Sequence, residues 1–151
     1  MNHKTINLTD HDETYVHVTI HHLDFCLPVY PIQDVLITPV LTHVPLSKHY
    51  ICGLMNLRGR IVTAIDMGIH LGLEATYSKE SKNMSVIVEE NGELYGLIFS
   101  TVGEVLKIPA KQIDTNPSAV EPKWRDYTKG IYLYDNRLTV VLNLFDLVLT
   151  L

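Results

Sequence analysis

Eight histidines and two cysteines are the side chains of this 151-residue chain best suited to chemistry. His17, His21 and His22 lie on or beside one alternating segment. On an extended strand, positions 17 and 21 share a face but stand about 13 Å apart at ~3.3 Å per residue. Two ligands of one zinc ion cannot span that distance, although His22 could join a ligand from elsewhere. A solvated strand face is the plainer reading, and His43, His49 and His70 stand isolated in loops or turns. Cys26 lies between Phe25 and Leu27, and Cys52 between Ile51 and Gly53, with no C-x-x-C spacing. Reduced thiols facing a core fit that context better than a disulfide, a zinc site or a redox pair.

Catalytic signatures are equally absent from the sequence. There is no G-x-S-x-G elbow, and no G-x-x-x-x-G-K-[ST] or G-x-G-x-x-G loop to cradle a phosphate. Asp66, Glu104, Asp135 and Asp146 fall at strand ends or in turns, where capping is their ordinary use, and Asp66 is placed to cap the turn after its strand. No catalytic residue, metal or cofactor is expected, and no binding or hydrolysis of ATP.

Composition narrows the remaining classes. A net charge of −5 argues against a nucleic-acid or anionic-membrane surface, which needs concentrated Lys and Arg. A hydrophobic fraction of 46% is enough for a packed core. Runs such as Ile61–Ile65 fall far short of the ~20 residues that a spanning helix needs. The polar start, Met1-Asn2-His3-Lys4, has no signal-peptide centre, so a cytoplasmic protein is expected.

The elements that would position these residues read mainly as strands. Residues 1–13 are polar and read as a tail, with a single domain over 14–151. Val16, Val18 and Ile20 alternate with His17, Thr19 and His21, the period of a half-buried strand. Phe25–Leu27 pairs back on it, and Pro31 opens a short predicted helix over Pro31–Val35. Leu54–Leu57 and Ile61–Ile65 flank the turn Arg58-Gly59-Arg60, and Met84–Glu90 and Glu93–Phe99 flank Asn91-Gly92. A strand over Val102–Ile108 and a hairpin of Gly130–Tyr134 with Leu138–Leu142 follow. Asn143 is placed to cap a terminal helix through Leu149. Short strands with turn signals between them predict an all-β fold with short helices, built as two small barrels.

Gly53-Leu54-Met55-Asn56-Leu57-Arg58-Gly59-Arg60-Ile61-Val62, then Ile65-Asp66 and Leu71-Gly72-Leu73, resembles the central motif of the CheW family. Tyr95–Phe99 with Val102–Ile108, and Gly130–Leu147, are similar to two further family blocks in the same order, so the resemblance spans about residues 15–149. Thr63-Ala64, Gly68, Ser100 and the turn His22-Leu23-Asp24 depart from the usual pattern and mark a divergent member.

The resemblance implies two five-stranded barrel lobes sharing a core and a non-enzymatic adaptor of chemotaxis signalling. Its partners would be the regulatory domain of the histidine kinase CheA and the cytoplasmic tip of chemoreceptors, with no nucleic acid and no membrane insertion. The chain end at Leu151 leaves no room for a receiver or kinase domain, so a stand-alone coupling protein is expected. Control of type IV pilus motility or another output is the alternative, and a β-barrel ligand-binding protein or enzyme a more distant one. The resemblance places receptor contacts at Val29, Ile32, Asp34, Arg58, Met84, Ser85 and Gly96, with Val29 and Ile32 on one helical face and Gly96 admitting a receptor helix. It also implies an ion pair between Asp34 and Arg58. Gly53, Gly59 and Gly96 are expected to be backbone requirements, with positive φ at Gly59.

Overall fold

The computed structural model describes residues 14–149, so the predicted tail over 1–13 lies outside the described residues. The described chain divides into two compact units, one of residues 14–18, 23–31 and 103–149, the other of 19–22 and 32–102. Ten strands run β1 (Thr14–Ile20), β2 (Leu23–Pro28), β3 (Ile32–Ile37), β4 (Ile51–Leu57), β5 (Arg60–Asp66), β6 (Met84–Glu90), β7 (Glu93–Phe99), β8 (Thr101–Lys107), β9 (Thr128–Tyr134) and β10 (Arg137–Leu142). Helix α1 (Met67–His70) follows β5, and α2 (Leu144–Leu149) follows β10.

The strands form two five-stranded sheets of one design, β8-β1-β2-β10-β9 and β3-β6-β7-β5-β4. In each, a hairpin (β1–β2 or β6–β7) lies parallel to the second strand of another hairpin (β9–β10 or β4–β5). The tight turns follow from local sequence. Arg58-Gly59, Asn91-Gly92 and Asp135-Asn136 are two-residue connections with both φ positive, the twist that suits a hairpin. The N-L-R-G run is therefore a turn device: Asn56 Oδ1 accepts the Gly59 N–H at 3.0 Å, and Arg60 already belongs to β5.

Each sheet curls until the chain leaving one edge strand meets the other edge. Thr42, beyond β3, exchanges backbone hydrogen bonds of 2.9 and 2.8 Å with Leu54 of β4. Asp114, beyond β8, does the same with Ile131 of β9, both at 2.9 Å. A glycine precedes each bridge. A Cβ on Gly53 would stand 2.7 Å from the Thr42 carbonyl oxygen, and one on Gly130 would overlap the Asp114 carbonyl. Both also hold positive φ, so the crossing excludes side chains twice over.

Apolar side chains fill each unit. Leu41, Met55, Val62, Ala64, Ile87, Leu94 and Ile98 make one core cluster, and Tyr15, Cys26, Ile108 and Val141 another. Asp66 is buried and caps α1, its carboxylate accepting N–H groups of Ile69, Thr76 and Tyr77 at 2.9–3.1 Å. Thr76 Oγ1 accepts from the Gly68 N–H at 3.0 Å, and the Gly68 Cα packs under the Glu74 carbonyl. The polar link after α1 is thereby tied down by one carboxylate. Asn143 caps α2 through the Asp146 N–H at 3.3 Å.

Two expectations are corrected. Pro31–Val35 is no helix: residues 32–37 form edge strand β3, paired with β6 from Ile32↔Val88 to Ile37↔Met84. Burial, not residue type, alternates with period two along Ile32–Ile37, and Pro31 precedes the strand, where its missing N–H disrupts no pairing. His17 is also not on a solvated face. It is buried beside Asp24, with Nε2 and Oδ1 2.7 Å apart, and Asp24 is paired in turn with Arg137 at 3.2 Å. Both faces of β1 are covered at this point, so alternation did not separate core from solvent. His21 and His22 are exposed as expected.

Both cysteines are free. Burial, aided by Asp24 near Cys26 and by Asp66 near Cys52, pushes each thiol up to about 12. At pH 8 iodoacetamide should therefore modify the native protein far more slowly than the guanidinium-unfolded chain, with the native rate rising as pH approaches 12. Gly130→Ala should cost on the order of 3 kcal/mol in urea unfolding through the lost closure. Gly59→Ala, with φ +83 but open space around its Cβ position, should cost only about 1 kcal/mol.

Candidate interaction surface

Asp34 and Arg58 come together as expected. Strands β3 and β4 are opposite edges of their sheet, and the turn after β4 carries Arg58 across to β3. Arg58 Nη2 donates to Asp34 Oδ2 at 3.1 Å. Positive φ at Arg58 belongs to the hairpin turn. The Arg58 side chain is 78% exposed and that of Asp34 31%, so the pair is solvated and worth at most about 1 kcal/mol. It marks the surface more than it holds the fold. Close by, Glu89 accepts from Gln33 at 3.2 Å and pairs with Arg60 at 3.5 Å, so charges of both signs alternate across this end of the sheet.

The other expected contact residues separate into groups. Ile32 is half-buried at the same end of β3 as Asp34. Met84 is half-buried but pairs with Ile37, at the far end of β3, roughly 16 Å along the strand from Ile32 at ~3.3 Å per residue. Val29 belongs to the other unit, where its N–H donates to the Thr14 carbonyl at 3.0 Å. With no helix here, Val29 and Ile32 share no helical face.

Ser85 and Gly96 face inward. The Ser85 hydroxyl is fully buried and hydrogen-bonds Thr38 Oγ1 at 2.8 Å. A Cβ on Gly96 would meet Met55, Val62 and Ile87 at 3.1–3.4 Å, inside the core. Gly96 thus serves close packing within the sheet interior and offers a receptor helix no backbone to approach.

The sequence reading missed Val35 and Ile37, which project outward from β3 and are exposed. No local signal marked them: apolar residues at 32, 35 and 36 fit a helical face after Pro31, and pairing with β6 is what turns Val35 and Ile37 outward. Among the described residues, no group of three or more His, Cys, Asp and Glu lies placed to hold a metal. No buried side-chain N or O lacks a partner there, so the interior polar groups are committed to structure.

Comparison with known proteins agrees with this architecture. The model of the CheW-like domain matches residues 14–150. A probable chemotaxis protein CheW of Rhizobium etli is 22% identical over 144 residues, covering 95% of this chain and 92% of that protein. A chemotaxis protein CheW of Thermotoga maritima is 34% identical over 106 residues, 69% of this chain and 66% of that protein. The crystal structure of the scaffolding protein TtCheW from Thermoanaerobacter tengcongensis superposes with a TM-score of 0.75 at 24% identity, covering 87% of this chain and 88% of that one. The match runs through every described strand and helix, and the chain belongs to the CheW-like domain family.

Proposed function

We propose that the chain is a non-enzymatic cytoplasmic adaptor that couples the cytoplasmic tips of chemoreceptors to the regulatory domain of the histidine kinase CheA. The observation that carries this reading is the CheW-like match over residues 14–150, which includes both sheets. Two features support it. The interior polar groups Asp24, Asp66 and Ser85 are occupied by fold-holding partners, which leaves binding surfaces as the means of action. Among the described residues, no helix is long and apolar enough to cross a membrane.

The receptor-docking residues in this reading are Ile32, Asp34 and Arg58 at one end of β3, with Val35 and Ile37 outward along it and Met84 at its far end. An edge strand with exposed apolar residues and a solvated ion pair can take a helix against its side chains. Ser85 and Gly96 contribute from beneath by setting strand spacing. Val29 remains in the proposal on the family resemblance.

Arg58→Glu in the full chain should weaken capture of a receptor cytoplasmic fragment about tenfold, equivalent to roughly 1.4 kcal/mol. Its melting temperature should move by no more than about 4 °C, because an exposed pair contributes little to stability. Binding to the CheA regulatory domain should stay unchanged. Equal receptor capture by wild type and variant would remove Arg58 from the docking surface, while failure of both partners to bind wild-type protein would reject the adaptor reading.

A further inference from the structure

The two units repeat one sheet design, and the repeat supplies its own control. In the second unit, the row across the outer face just inside the Arg58-Gly59 turn is Glu93 of β7, Ile61 of β5 and Asn56 of β4. The corresponding row in the first unit, just inside the Asp135-Asn136 turn, is Leu23 of β2, Leu138 of β10 and Leu133 of β9. Arg60 and Arg137 hold equivalent places next to these rows, each paired with a carboxylate, Glu89 or Asp24. The flanking chemistry is kept, but a row two-thirds polar in one unit is all leucine in the other. The leucines are 43%, 64% and 59% exposed. The next row inward, Phe25, Val140 and Ile131, is part of the same face, and Trp124 packs edge-on against Phe25 at 5.5 Å. The leucine row is the uncovered end of an apolar sheet face.

We propose that this row is a second docking site, for one amphipathic helix of a partner protein. Three half-exposed leucines present roughly a few hundred Å² of apolar surface. That is well below the ~800 Å² each partner contributes to a stable pair, so a second copy of this chain is not the occupant. Strands β2 and β10 are each paired on both sides, so an added strand could reach only the β9 edge beside Leu133 and would leave Leu23 uncovered. An occupant lying flat on the leucines must satisfy its own N–H and C=O groups, as a helix does. The spacing agrees: strands about 4.8 Å apart place Leu23 and Leu133 about 10 Å apart with Leu138 midway. Residues i, i+3 or i+4, and i+7 of a helix are separated by about the same steps at ~1.5 Å rise per residue.

The test is a titration of the ¹⁵N-labelled full chain with a stapled helical peptide bearing leucine at i, i+4 and i+7 and Lys, Glu and Gln elsewhere. A second peptide carries the same leucines distributed around the helix. The aligned peptide should cause saturable shifts at Leu23, Leu133 and Leu138 and their strand neighbours. Leu138→Gln and, separately, Leu133→Gln should lower its affinity about tenfold without changing the melting temperature. Equal binding of the second peptide, shifts confined to other residues, or no saturable shift would overturn the proposal. So would concentration-dependent dimerisation in sedimentation that Leu138→Gln abolishes, which would assign the row to a second copy.

Discussion

Closure of each sheet depends on one backbone crossing that admits no side chain. A five-stranded sheet left open exposes two edges of unpaired N–H and C=O groups. Here the chain beyond one edge bends over the other and makes a two-hydrogen-bond bridge, Thr42 with Leu54 and Asp114 with Ile131. The bridge forms only because Gly53 and Gly130 bring bare Cα atoms beneath a carbonyl. Both glycines stand at the same place in their hairpins, and both hairpins end in a capped helix, at Asp66 and at Asn143. The second unit restates the solution of the first with almost no shared side chains.

Polar groups inside this frame act as fasteners. Asp66 gathers three backbone N–H groups from two segments, so one buried carboxylate holds α1 and the following link together. Asp24 lies between His17 and Arg137, joining β1 to β10 across β2. Removing Asp66 would leave buried N–H donors without acceptors, and removing Asp24 would strand the buried His17, each costing more than the hydrogen bonds are worth net. Conversely, Arg58 and Asp34 face water, and their pairing is cheap to lose and available to a partner. The distinction between holding and presenting a charge follows burial, not residue type.

A protein of this kind acts through what its surfaces leave uncovered. Exposed leucines, valines and isoleucines on strands are ordinary singly, but a row of them on adjacent strands is a commitment to association. The exposed apolar residues of β3 and the leucine row of β2, β10 and β9 lie in different units. The two proposed docking surfaces therefore fall on separate units.

Much of the fold was legible in the residues themselves. Asn91-Gly92 marked its hairpin to the residue, because a two-residue turn with both φ positive tolerates few other pairs. Asp66 and Asn143 announced helix starts, and Asn56-Leu57-Arg58-Gly59 carried both a turn and the partner of Asp34. These signals are local: a cap or a turn is decided by a few neighbouring residues. Strand β3 was hidden because Pro31 and three apolar residues fit a helix start as well as an edge strand, and the pairing with β6 that decides between them comes from some fifty residues away. The burial of His17, the inward direction of Ser85 and Gly96, and the outward direction of Val35 and Ile37 were likewise settled by long-range pairing. Period-two alternation says which residues share a face of a strand; only the closed sheet says which face is inside.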